Sequence, residues 1–146
     1  MKKLLAMFLC LVTLFSVFSV GAYALAGKDN EIMPYYNNTL RAYHSVSLST
    51  NGTLKIINSY NGVSGVTTKA VITTYIEKRF LGIFWTRVDI GTADNEWVDT
   101  LYSTNYSGGH SFKLESTGTY RVTSEFKIYG SGGSADEIVK ETTITY

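Results

Sequence analysis

Apolar and polar residues alternate over most of residues 43–146, and a period of two is typical of β-strands. The alternation is clearest from Tyr120 to Ile128, where apolar side chains would share one face and polar or charged side chains the other. No part of 27–146 keeps the three-and-four apolar spacing of a helix. Similar alternation occurs in seven other stretches, at 44–50, 53–60, 69–80, 84–90, 97–102, 110–115 and 138–146. The pattern predicts an all-β fold, an antiparallel β-sandwich of about seven to eight strands.

Two hairpin registers follow from keeping apolar residues on one face. Around Asn51-Gly52, a three-residue loop with Gly52 left-handed pairs Leu48 with Leu54 and Val46 with Ile56, whereas a two-residue turn sets apolar residues against polar ones. A second hairpin, centred on Gly82, would pair Ile76 with Val88 on the inner face. Its outer face would carry two favourable cross-strand pairs, Glu77 with Arg87 and Arg79 with Trp85.

The first twenty-six residues have the pattern of a secretory signal peptide. A basic start at Lys2 and Lys3 precedes an apolar run at 4–20 and small residues suited to peptidase cleavage at 22–26. The alternative is a retained membrane anchor, but the run is slightly short and no basic stop-transfer cluster follows it. We therefore predict a secreted protein with a cleaved signal peptide at 1–26, an extended segment at 27–42, a β-sandwich at 43–146 and no membrane span in the mature form.

Composition excludes several classes of function. The only cysteine, Cys10, lies in the predicted signal peptide, so the mature chain has no disulfide. Loss of Lys2 and Lys3 leaves eleven basic and twelve acidic residues, a balance that argues against nucleic-acid binding. No catalytic or cofactor motif is present, and we expect the histidine at position 44 to be a hydrogen-bonded core or edge residue. The sequence therefore predicts a protein that is not an enzyme and has no cofactor.

Acidic residues crowd the loop that follows the second hairpin. Carboxylate oxygens are ligands that calcium prefers, and extracellular calcium can fill weak sites. The spacing matches no standard calcium loop, and acidic residues are also common in ordinary turns. The weak calcium candidates are Asp94, Glu96 and Asp99.

Two surface features exceed what a sandwich needs. The tip of the Gly82 hairpin is apolar where turns are normally polar, so it either packs under another loop, which we expect, or offers an exposed contact. Its apolar residues are Phe80, Leu81, Ile83 and Phe84. The outer sheet face beside it combines aromatic rings with charged groups suited to a glycan or a protein segment, unless it is an ordinary tyrosine-rich exterior. Its candidate binding residues are Tyr75, Glu77, Trp85, Arg87, Asp89, Arg121 and Tyr129.

Several motifs resemble known families. Gly118-Thr119-Tyr120-Arg121-Val122 resembles the tyrosine corner of immunoglobulin-like sandwiches, in which the tyrosine hydroxyl binds the preceding loop. Val122 stands where antibody domains carry a cysteine, so the resemblance implies only the looser immunoglobulin-like architecture. The mature chain is also similar to a family of short secreted proteins of unknown function from Gram-positive bacteria. That resemblance brings no activity or cofactor with it, and it rests on the stretches 32–39, 81–85, 95–99 and 130–136.

Taken together, these features predict a secreted, non-enzymatic binding module that uses the aromatic sheet face to bind an extracellular glycan or protein. One alternative is a structural or envelope-associated protein that assembles through exposed strand edges. Another is a membrane-active factor that uses the apolar hairpin tip, although a net charge near zero argues against it.

Overall fold

The computed structural model describes residues 35–146, so the predicted signal peptide at 1–26 lies outside the described residues. This part of the chain contains no helix and forms eight strands. They are β1 (Thr39–Leu48), β2 (Thr53–Gly62), β3 (Thr67–Phe80), β4 (Phe84–Arg87), β5 (Trp97–Leu101), β6 (Asn105–Lys113), β7 (Thr119–Gly130) and β8 (Asp136–Thr145).

The eight strands form two antiparallel sheets. One sheet has the order β1-β2-β6, and the other has the order β4-β3-β7-β8, with β5 also paired to β3. Buried side chains from both sheets form the core between them. Two antiparallel sheets with a shared core form a β-sandwich, and the predicted all-β sandwich is confirmed.

Both predicted hairpin registers are confirmed. Leu48 pairs with Leu54 across the β1–β2 loop, and Gly52 in that loop has a φ of 81°. In the second hairpin the backbone amide of Val88 donates to the carbonyl of Ile76 at 2.9 Å. The two outer-face pairs, Glu77 with Arg87 and Arg79 with Trp85, also form as predicted.

The sandwich begins earlier in the chain than the alternation indicated. β1 starts at Thr39, so the last residues of the predicted extended segment belong to the first strand. The buried carboxylate of Asp136 accepts hydrogen bonds from the backbone amides of Asn37 and Asn38, both at 2.8 Å. The fully buried Asn38 side chain donates in turn to the carbonyl of Ser134 at 2.8 Å. These contacts fasten the start of β1 to the β7–β8 loop.

The predicted tyrosine corner is present at the start of β7. Tyr120 is buried and its hydroxyl donates to the backbone carbonyl of Ser116. A second tyrosine, Tyr60 on β2, makes an equivalent bond to the carbonyl of Ser103 at 2.7 Å. Two buried tyrosines therefore each hold a loop against the sandwich.

The core consists of two apolar clusters. The first contains Leu54, Ile56, Ile76, Leu114, Tyr120 and Val122. The second contains Tyr60, Ala70, Ile72, Phe126, Ile128 and Ile138. On β2, β3 and β7 the inward position between the clusters is polar, and it is occupied by Asn58, Thr74 and Ser124.

These polar side chains and His44 of β1 form a layer that joins both sheets. His44 Nδ1 lies 2.9 Å from Ser124 Oγ and 3.2 Å from Asn58 Oδ1. Asn58 Nδ2 donates to Thr74 Oγ1 at 2.8 Å. Burial is the main cause that lowers the pKa of His44, because desolvation disfavours the charged imidazolium. The histidine is thus a hydrogen-bonded part of the core, as expected.

Candidate functional site

Five of the seven candidate binding residues lie together on the outer face of the larger sheet. Pairing places Glu77 of β3 between Arg87 of β4 and Arg121 of β7. Tyr75 and Trp85 also point outward, on either side of the Glu77–Arg87 pair: Tyr75 is two residues before Glu77 on β3, and Trp85 lies opposite Arg79. We call these five residues the aromatic-arginine face.

Guanidinium groups lie over both aromatic rings of this face. The Arg87 Cζ atom is 3.3 Å from the centroid of the Tyr75 ring. Arg121 and Arg79 both lie over Trp85, with their Cζ atoms 4.6 and 5.8 Å from its ring. Cation–π contacts of this kind favour one arrangement of long side chains that would otherwise be mobile. These contacts therefore favour one arrangement of the aromatic-arginine face without a ligand.

Hydrogen bonds and ion pairs complete this ordering. Arg121 donates from Nε and Nη2 to the same Glu77 carboxylate oxygen, at 2.9 and 2.7 Å, and this hydrogen bonding raises the pKa of Arg121. Arg87 lies 3.4 Å from the Glu96 carboxylate. The Tyr75 hydroxyl donates to Glu125 at 3.0 Å, and burial together with this bond raises the pKa of Tyr75. Each arginine of the face therefore already has an acidic partner.

The other two candidates lie away from these contacts. Tyr129 is at the far end of the same face, eight residues along β7 from Arg121 and so roughly 26 Å away. Its ring is 5.3 Å from the Lys69 ammonium. Asp89 follows the end of β4, where its carboxylate accepts a hydrogen bond from the Gly91 amide at 2.9 Å. Neither residue joins the aromatic-arginine face.

The apolar hairpin tip is exposed, and the expectation that it packs under another loop is wrong. The exposed fractions are 59% for Phe80, 74% for Leu81, 71% for Ile83 and 61% for Phe84. The physical reason is the length of β3, because its pairing with β7 ends at Lys78 opposite Tyr120. Beyond that point β3 and β4 project as a two-stranded ribbon.

The same projection opens a cleft that the sequence did not indicate. The cleft has a volume of about 480 Å³ and lies between the inner side of the hairpin and the end of β6. Phe80 and Val88 line one side, and Phe112 and Leu114 line the other. Alternation identifies the inward residues of each strand, but it does not show that β3 extends beyond its neighbour.

The three calcium candidates do not form one group of ligands in this structure. Glu96 pairs with Arg87, while Asp99 lies 2.8 Å from the Nε2 atom of His110. The His110 ring stacks on Trp97, with centroids 4.7 Å apart and planes 4° apart. Asp94 is exposed. Within residues 35–146, no three histidine, cysteine or acidic side chains form a group that could hold a metal ion.

Among the described residues, no helix is long and apolar enough to cross a membrane. Comparison of the chain with protein-family models, with curated proteins and with solved structures gives no match.

Proposed function

We propose that this chain is a secreted, non-enzymatic binding module and that the aromatic-arginine face contacts a protein segment. One observation carries the proposal: Arg87 stacks on Tyr75 and Arg121 on Trp85, side by side on one sheet. Tryptophan, tyrosine and arginine are the residue types that dominate binding energy at protein interfaces. Because their side chains are already held in place, a partner would meet a smaller entropic cost on binding.

The arrangement favours a protein ligand over a glycan. A sugar ring that stacks on an aromatic side chain needs a free ring face, whereas guanidinium groups already lie over Tyr75 and Trp85. A polypeptide can instead use the remaining N–H donors of the arginines through its carbonyl and carboxylate oxygens. Arg87 has 38% of its side chain exposed and can offer such donors. A glycan ligand remains an outcome that the experiment below distinguishes.

Assembly through strand edges has less support. β8 is an edge strand of the larger sheet, and it carries the exposed charged residues Glu137, Lys140 and Glu141. Charged side chains on an edge strand oppose the addition of another strand. The ordered aromatic-arginine face therefore supports a binding role better than this edge supports an assembly role.

The test uses a random peptide library displayed on phage and selected against the immobilised wild-type protein. A selected peptide is then titrated by calorimetry into wild type, Trp85→Ala and Tyr75→Ala. Tyr43→Ala is the matched control, because Arg41 lies over Tyr43 on β1 of the other sheet, with its Cζ 4.9 Å from the ring. We expect both face variants to weaken binding by at least about tenfold and the control to bind as wild type does.

Equal binding by wild type and both face variants would contradict the proposal, as would an equal loss in Tyr43→Ala. A glycan array is run in parallel with the same proteins. Saturable glycan binding that Trp85→Ala abolishes would replace the protein ligand with a sugar.

A further inference from the structure

The projecting hairpin tip presents a convex apolar surface. Phe80, Leu81, Ile83 and Phe84 each have more than half of their surface exposed. The last residue of β3 paired with β7 is Lys78, so the tip extends about three residues, or roughly 10 Å, beyond the neighbouring strand. Exposed apolar clusters of this kind mark contacts with proteins or membranes on soluble domains. A small convex tip fits a surface that can deform around it.

The backbone of the turn indicates that folding does not explain this apolar tip. Leu81 and Gly82 have φ values of 50° and 71°, and the Ile83 amide donates to the Phe80 carbonyl at 3.1 Å. Turns with positive φ at both central positions favour Asn-Gly, because asparagine tolerates this region better than other side chains do. Leucine is unfavourable there, and burial does not compensate because the side chain is 74% exposed. Leu81 therefore weakens the turn without strengthening the core.

The two charged residues nearest the apolar tip are both basic. Lys78 and Arg79 directly precede Phe80 on β3, whereas Arg87 lies opposite Glu77 and pairs with Glu96. The near-zero charge of the whole chain matters less than this local excess, because exposed charges act over about 10 Å at ordinary salt concentrations. An apolar tip with a basic rim is complementary to an anionic lipid surface.

We propose that the β3–β4 hairpin tip inserts into the surface of a lipid bilayer that contains anionic headgroups. The four apolar side chains enter the boundary between headgroups and acyl chains, and the basic residues contact lipid phosphates. The projection of roughly 10 Å is comparable to the depth at which apolar side chains of interfacial proteins lie. The attachment is peripheral and reversible, and it is independent of the binding proposed for the aromatic-arginine face.

The test compares Leu81→Asn with wild type in vesicle flotation. Both proteins are expressed from the full chain, so that any contribution from the N-terminal residues is the same. The vesicles contain phosphatidylcholine alone or equal parts of phosphatidylcholine and phosphatidylglycerol. Leu40→Asn is the matched control, since Leu40 is 67% exposed and lies near the opposite end of the sandwich.

We expect wild type to float with phosphatidylglycerol vesicles and to be released by 0.5 M salt. At this concentration the Debye length is roughly 4 Å, so the attraction between the basic residues and the lipid phosphates is screened. Leu81→Asn should reduce vesicle binding by at least about tenfold and raise the urea midpoint of unfolding, because asparagine suits the turn. Leu40→Asn should bind as wild type does. Tyr75→Ala should also bind vesicles normally, which separates this result from the peptide-binding test.

Three outcomes would overturn the inference. The first is the absence of wild-type flotation with phosphatidylglycerol vesicles. The second is an equal loss of binding in Leu81→Asn and Leu40→Asn. The third is that wild type self-associates in analytical ultracentrifugation but does not bind vesicles, and that Leu81→Asn abolishes the self-association. This result would assign the tip to a contact between copies of the chain.

Discussion

Replacement of Tyr120 by phenylalanine removes one hydroxyl and leaves the shape of the core almost unchanged. Tyr120 is 2% exposed, and its hydroxyl donates to the carbonyl of Ser116. No cavity term enters, because the ring stays in place. The loss is therefore that of one hydrogen bond, with a typical net value of about 0.5–1.5 kcal/mol.

The surroundings of Ser116 refine this magnitude. An acceptor left unpaired in a dry core costs about 1–3 kcal/mol, but Ser116 is exposed and water can reach the loop. The Lys78 ammonium, which donates to Ser116 Oγ at 2.6 Å and lies 5.4 Å from the Tyr120 ring, remains to hold the loop near β3. We expect Tyr120→Phe to lower the free energy of unfolding by about 1 kcal/mol.

Urea titration followed by far-ultraviolet circular dichroism measures this change. Tyr60→Phe is the matched comparison, because the Tyr60 hydroxyl makes the same type of bond to Ser103, a residue of another exposed loop. The two tyrosines belong to different apolar clusters, so the double variant should lose the sum of the single losses within about 0.5 kcal/mol. A loss below about 0.3 kcal/mol for Tyr120→Phe would refute the role assigned to the tyrosine corner.

The remaining predictions concern pH, packing and secretion. Because burial lowers the pKa of His44 below its usual 6.5, the unfolded chain binds the proton first, so stability is full above pH 6.5 and falls as pH drops below it. The free energy of unfolding, measured by urea titration, should fall more steeply with decreasing pH for wild type than for His44→Gln. The difference in slope should be at most about 1.4 kcal/mol per pH unit. Ile76→Ala should lose about 2–5 kcal/mol and Trp85→Ala less than about 1.5 in the same titration, and unfolding of Trp85→Ala would place that ring in the core. Mass spectrometry of culture medium should find a mature chain that begins near residue 25 or 27, whereas only full-length protein in membranes would contradict secretion.

Much of the fold was predictable because its strands have one buried and one exposed face. Register follows from this alternation, and the pairing of Leu48 with Leu54 is an example. Gly108 and Gly109 are residues typical of a turn, so the alternation placed the start of this strand at 110. In the structure β6 starts at Asn105 and includes both glycines. A Cβ atom on Gly109 would lie 1.9 Å from the Ile56 carbonyl oxygen, so this glycine permits close approach of two strands. The sequence shows the glycine, but it does not show which strand lies against it.

The candidate site was predictable to a similar extent. Cross-strand pairing of Glu77 with Arg87 follows from sequence spacing, and five of the candidate residues come together. The position of Asp89 depended on where β4 ends, which the alternation placed at 90 and the structure places at Arg87. The exposure of the hairpin tip depended on the lengths of β3 and β7 relative to each other. Relative strand length is set by pairing over long sequence separations, and local patterns do not contain it.

The polar layer at the middle of the core restricts how the two sheets can slide over each other. Burial of aliphatic side chains is non-directional, so they can exchange one aliphatic neighbour for another, whereas hydrogen bonds require a particular partner at a particular distance and angle. His44 and Asn58 belong to one sheet, and Thr74 and Ser124 belong to the other. A shift of one sheet by a single pair of residues would bring these groups against aliphatic neighbours and leave them without partners. The layer therefore selects one alignment of the sheets, and substitutions in either apolar cluster can accumulate without changing that alignment.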